Sequence, residues 1–316
     1  MKKLIISMVI IIAVGALVAG IGCAVYFKGN NRLFSKDAEY KVASYISPSS
    51  FTEMDLELCS GHRLILQYGD GYSLTYSDSL LSKFNVETKD GKLNVKEKSN
   101  SLKWWNRIMY RQETTDIILT VPEGSKLSLR GTISGSLSAE LPDWEYGDFD
   151  LIIAGSTSIT GKNITADDIN VTASGSAKFG VGGTLKSVNV IASGSADIEL
   201  SGSATSLKAS VSGSVDLSCE QFDCPIIDVD SSGSSDISLS GTGSKLTVHS
   251  SGSTDIYAKD FSLLTAAIHS SGSCDAEINV SVKLTVSVSG SADIKYWGNP
   301  AIENIGSNRA RIKKMD

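Results

Sequence analysis

The chain has 316 residues, 41% of them apolar, five prolines and a formal charge of −6, a balance normal for a folded protein of one or two domains. The acid is concentrated late: residues 131–300 hold 20 Asp and Glu against 8 Lys, a local charge of −12. An acidic surface of that size argues against nucleic acid and other anionic polymers as direct ligands.

Lys2 and Lys3 precede an uncharged stretch from Leu4 to Phe27. That run is long enough for a bilayer core and exceeds the apolar centre of an ordinary signal peptide. The expectation is a transmembrane signal-anchor over 1–27, with residues 4–27 in the membrane and the remainder outside the cytoplasm. Cleavage behind the small residues Gly20 and Gly22 is the alternative, leaving a secreted or surface-exposed chain. A lipid-modified Cys23 fits less well, because Gly20 stands where a lipoprotein signal carries Leu or a similar residue. Residues 28–47 then read as a polar stalk.

From Pro48 to about Arg130 the pattern is strands: "FTEMDLEL", "RLILQYGDGYSLTY", "FNVETKDGKLNVKEK" and "TTDIILTVPEGSKLSL". "YGDGY" and "KDGK" read as hairpin-type turns. Between strands, Asn100 to Glu113 sets Trp104, Trp105 and Tyr110 among Lys103, Arg107 and Arg111. The preferred reading is an excursion that caps the open end of the fold; a membrane- or partner-docking loop is the other.

From residue 131 to 299 a Ser-Gly-Ser phrase recurs. Its central glycines are Gly135, Gly155, Gly175, Gly194, Gly213, Gly233, Gly252, Gly272 and Gly290, at intervals of 18 to 20 residues. A period this steady marks a solenoid. Aliphatic residues alternate with polar ones around each glycine, which is strand behaviour. Val190, Leu207, Ile227, Leu246 and Ile268 are expected to point inward. No unit can bury its apolar stripe alone, so the units must stack, about 4.8 Å apart, as a parallel β-solenoid.

Stacking in register would align Asp197, Asp216, Asp236, Asp255, Asp275 and Asp293 in one column. Like charges that close repel, and the expected compensation is that each Asp accepts backbone N–H bonds from its own turn. The sharper alternative is that the column binds divalent cations, with Asp236, Asp255 and Asp275 as the candidate ligands, or a basic partner. Calcium solenoids of the GGxGxD type carry a second glycine-rich triplet and a shorter period, both missing here. His249 and His269 each lie three residues before a marker glycine, where the coil above has Asp230. An Asp-His-His column has the ligand types for zinc or nickel, though a solvent-facing polar ladder is the commoner meaning. The five cysteines form no spaced framework; Cys219 reads as a core residue, and Cys219 with Cys224 have the option of closing a small loop.

The flanking motifs carry a resemblance. Phe51 to Leu58, "QYGDGYSL", "VETKDGKLNV", "IILTVPEGSKLSL", the SGSxD units and the closing "ADIKYWGNPAI" resemble, over roughly residues 48–305, the bacterial family called putative auto-transporter adhesin, head GIN domain. The resemblance implies an all-β, right-handed parallel β-helix exposed at a cell surface, with no established enzyme activity. Residues 48–305 are thus expected to be one solenoid domain, with 48–130 as its N-terminal strands, followed by a basic tail at 306–316.

No Ser-His-Asp, Cys-His or phosphate-cradling motif emerges, and coils of 18–20 residues leave little chain for loops that wall a cleft. The reading is a membrane-anchored, non-catalytic adhesin or envelope-interaction protein without cofactor, binding a surface protein or glycan. Other classes considered are a carbohydrate-active β-helix enzyme and a membrane-linked signalling or assembly scaffold.

Overall fold

The computed structural model describes residues 42–77, 83–98, 115–305 and 310–316. The 1–27 segment expected to span a membrane and the Trp-containing segment Asn100 to Glu113 lie outside the described residues. Among the described residues every regular element is a strand, and no helix is long and apolar enough to cross a membrane.

The repeats wind as expected. The long β10 (Tyr146–Ser203) pairs in parallel with β11 (Ser206–Asp223), matching Gly194 with Gly213 and Asp197 with Asp216. Then β11 pairs with β12 (Ile226–Ser231) and β13 (Ser234–Thr242), and these with β14 (Lys245–Ser250) and β15 (Ser253–Ser270). β16 (Ser273–Val288) and β17 (Ser291–Trp297) continue the stack. Val190, Leu207, Ile227, Leu246 and Ile268 are all buried, as their period-two placement predicts. Burying one such side chain stabilises the fold by about 1.5–3 kcal/mol, and each coil gains that only against its neighbours. Phe149, Phe222 and Phe261 fill the interior further along the rod.

The marker glycines stack directly on one another. A Cβ on Gly252 would overlap the carbonyl oxygen of Gly233, and one on Gly272 would overlap that of Gly252. Coils approach at this corner more closely than any side chain permits. Gly213, at φ 110°, also adopts a backbone conformation closed to L-residues with a Cβ.

The N-terminal coils are not stacked in chain order. β2 (Glu53–Leu58) and β3 (Gly61–Tyr68) form one coil. It lies between the coil of β6 (Lys92–Glu97) and β7 (Thr115–Val121) and the coil of β8 (Leu127–Ile133) and β9 (Ser136–Leu141). β8 and β9 then meet β10. The "KDGK" turn is the expected hairpin: β5 (Phe84–Lys89) runs antiparallel to β6 through Asp90 and Gly91, both at positive φ. "YGDGY" is not a hairpin. β4 (Ser73–Ser77) pairs antiparallel with β7, which lies between it and β3, so the turn carries the chain across a neighbour.

Both ends of the expected domain extend further. β1 (Val42–Ile46), within the segment read as stalk, pairs antiparallel with β4 and covers that edge. The last coil holds β18 (Ala301–Asn304) beside β16 and β19 (Ala310–Lys314) beside β17, so part of the basic tail is a strand. Its Arg311, Lys313 and Lys314 place charge on the final edge, a device that discourages strand addition.

Candidate functional site

The Ser-Gly-Ser corners build one continuous surface. Ser193, Ser212, Ser232, Ser251, Ser271 and Ser289 precede the stacked glycines and are exposed; the serines that follow the glycines form a second exposed column. Backbone bonds between coils hold the corner, as in Ser253 N–H to Gly233 O at 2.9 Å and Ser273 N–H to Gly252 O at 3.0 Å. An open groove of about 870 Å³ runs beside the corner from Ile191 to Ile305, and Asp230, His249 and His269 stand along it.

The aspartate column forms as expected, but its carboxylates do not cap their turns. Asp216, Asp236, Asp255, Asp275 and Asp293 sit in register from coil to coil. Among the described residues no backbone N–H donates to any of them. The serine amides that flank each glycine donate instead to carbonyls of the preceding coil, as Ser251 N–H does to Ser231 O and Ser253 N–H to Gly233 O. Burial, and then the flanking carboxylates of Asp236 and Asp275, raise the pKa of Asp255. Cations stand at the two ends. Lys178 donates to Asp197 at 3.0 Å and to Glu199 at 2.5 Å, and Asp293 lies opposite Arg311.

His249 and His269 are neighbours, as their spacing predicts. Their rings stack with centroids 4.8 Å apart and planes within 12°. Burial, and then the His249 ring, lower the pKa of His269, favouring the neutral imidazole. The set that offers convergent ligand atoms differs from the expected Asp-His-His column. Asp228, Asp230 and His249 each present one such atom, all within 4.8 Å of one another. Asp228 was missed because it belongs to the adjacent column of outward residues; its two-residue offset from Asp230 on one strand was the available signal. Asp236, Asp255 and Asp275 form no such group with a histidine among the described residues.

Cys219, Cys224 and Cys274 are buried free thiols. Burial pushes Cys219 and Cys224 up, and holds Cys274 at about 12, so none is a ready nucleophile.

A serine, a histidine and a glutamate also meet near the N-terminal end, which the chain order hides. Ser60 Oγ lies 2.9 Å from His62 Nε2, and Glu97 Oε2 lies 3.2 Å from the same nitrogen. Ser60 also donates directly to Glu97, whose Oε2 accepts the backbone N–H of Cys59 at 2.8 Å and of Ser60 at 3.0 Å. A nucleophilic relay needs the acid on one imidazole nitrogen and the serine on the other. Here both share Nε2, while Nδ1 faces Thr115 Oγ1 at 2.8 Å. With His62 only 1% exposed, the cluster is a buried junction between β6 and the coil of β2 and β3. Its hydrogen bonds lower the Glu97 pKa, against the opposing effect of burial, to about 2.

Solved structures to which the chain is similar include a putative lipid binding protein and a putative adhesin from Parabacteroides distasonis. They are 16% and 17% identical, cover 87% and 88% of this chain and 96% and 98% of their own, and superpose with TM-scores of 0.45 each. A putative adhesin from Parabacteroides merdae is 13% identical over 88% of this chain and 98% of its own, with a TM-score of 0.41. No curated protein matches the chain. A family profile, described as putative auto-transporter adhesin, head GIN domain, matches residues 72–206 and 192–300. The chain belongs to that family.

Proposed function

We propose that this protein is a non-catalytic, membrane-anchored solenoid that stands outside the cytoplasm and binds a surface protein or glycan along its serine-lined groove. The observation that carries this reading is the open groove itself, bordered by exposed hydroxyls that repeat coil after coil. Hydroxyls at a regular spacing of about 4.8 Å suit an extended ligand that makes the same contact repeatedly. The acidic charge of the repeat region turns away anionic polymers and favours neutral or basic partners. The family's description as adhesin supports the reading, and the uncharged segment 4–27 supplies the anchor. A right-handed winding is the sense adopted by nearly all parallel crossovers.

Two measurements test it. A membrane-impermeant maleimide should label a Ser232→Cys variant on intact cells, with mass spectrometry finding residues 1–27 retained; labelling only after lysis would overturn the location. Beads coated with the chain should adhere to cells or to arrayed glycans. Ser251→Arg with Ser271→Arg, which fills the groove, should abolish that adhesion, and unchanged adhesion in the correctly folded double variant would overturn the groove as the binding surface.

A further inference from the structure

We infer that Asp228, Asp230 and His249 form a binding site for a divalent first-row transition ion of the zinc or nickel class, set in the wall beside the groove.

The strand pattern makes the arrangement unavoidable once the coils are in register. Asp228 and Asp230 are two apart on β12, so both project from the same outward face. β14 lies alongside, with His249 directly opposite Asp230. One ligand atom from each residue falls within 4.8 Å of the other two. A tetrahedral ion with bonds of ~2.0–2.2 Å needs ligand atoms roughly 3.3 Å apart, a closure that side-chain rotation supplies.

An independent observation points to the same place. Asp228 Oδ1 is withdrawn from solvent and has no hydrogen-bond partner. Leaving a carboxylate oxygen in that state is costly, and a cation removes the cost. Lys208 lies opposite Asp228 in the preceding coil, yet the two form no ion pair. A bound ion would fill that role.

The donor set selects the ion. Two carboxylates and one imidazole match zinc and nickel, whereas calcium takes six to eight oxygens and magnesium keeps its waters. Three protein ligands leave a position open toward the groove, for water or for a donor group on whatever lies there. His269 is not a ligand: its ring stacks on that of His249 and fixes the plane in which the imidazole is presented. The inference stands whether or not the groove binds a surface ligand.

Calorimetric titration of the full chain in detergent with zinc chloride tests it. One equivalent should bind, and Asp230→Asn and His249→Ala should each weaken binding at least about tenfold. Asp236→Asn, in the carboxylate column, should leave it unchanged. Both ligand residues are exposed, and equal melting temperatures in metal-free buffer would show the variants folded. Cobalt(II) gives a second measurement on the unaltered chain, which should show visible d–d absorption at one equivalent without a thiolate charge-transfer band. No binding heat, binding undiminished in both ligand variants, or a thiolate band would each overturn the site.

Discussion

Ser231 donates a hydrogen bond to Ser235 at 2.9 Å across the buried side of its glycine corner. One coil on, Ser250 and Thr254 repeat the contact at 2.7 Å, and Thr254 reaches back to Ser231 at 3.2 Å. In the next coil the equivalent pair is Ser270 and Cys274, where Ser270 Oγ has no partner. The coil beyond it has Val288 and Ala292, both buried and apolar.

The orphaned hydroxyl therefore costs stability that its neighbours do not. Ser270→Ala should stabilise the protein by about 1 kcal/mol, while Ser231→Ala, which strands the Ser235 hydroxyl and removes one of the two contacts of Thr254, should cost about 1–3 kcal/mol. Chemical denaturation of the two variants checks the opposite signs. Equal effects would mean that the corner hydroxyls act only through volume.

The carboxylate column predicts an acid-side gain in stability. The folded-state pKa of Asp255 is raised, so between its unfolded value and that higher value the native state holds more proton than the unfolded one. Stability should rise as pH falls through that window. Asp255→Asn should raise the melting temperature at neutral pH and remove this part of the pH dependence. A lower melting temperature at neutral pH would show that the carboxylate makes a stabilising bond.

Glu97 predicts the reverse. Its folded pKa of about 2 lies below the unfolded value, so its contribution is fully present above roughly pH 4.5 and disappears as pH falls toward 2. The whole term is of order 3 kcal/mol. Glu97→Gln should lose most of it at neutral pH and flatten the acid limb below pH 4.5. A variant that keeps the wild-type acid limb would assign that limb to other carboxylates.

The repeat region was legible because its period is steady. Once the glycines were aligned, parity alone placed Ile227 inside and Asp230 outside, and the pairing of His249 with His269 followed. The same parity puts Ser231, Ser250 and Ser270 inward, but serines beside a glycine look like turn residues, so their burial was overlooked. The N-terminal coils were harder. Their strands were recognisable one by one, yet nothing local tells the coil of β2 and β3 to lie between two later coils. The Glu97 junction depends on that order, joining residues 35 to 38 positions apart. The capping expected of the aspartates is not what the corner does with its serine amides, which bond from coil to coil instead.

The groove, the carboxylate column and the metal site all depend on coils stacked residue against residue. Ser234 lies directly opposite Ser253, and both are exposed. Parallel neighbours have Cα atoms about 4.8 Å apart, within disulfide reach, whereas a partner two residues along is about 8 Å away and beyond it. Under mild oxidation Ser234→Cys with Ser253→Cys should therefore form a disulfide, identified by peptide mass, while Ser234→Cys with Asp255→Cys should not. A bridge in the second pair and none in the first would contradict the register.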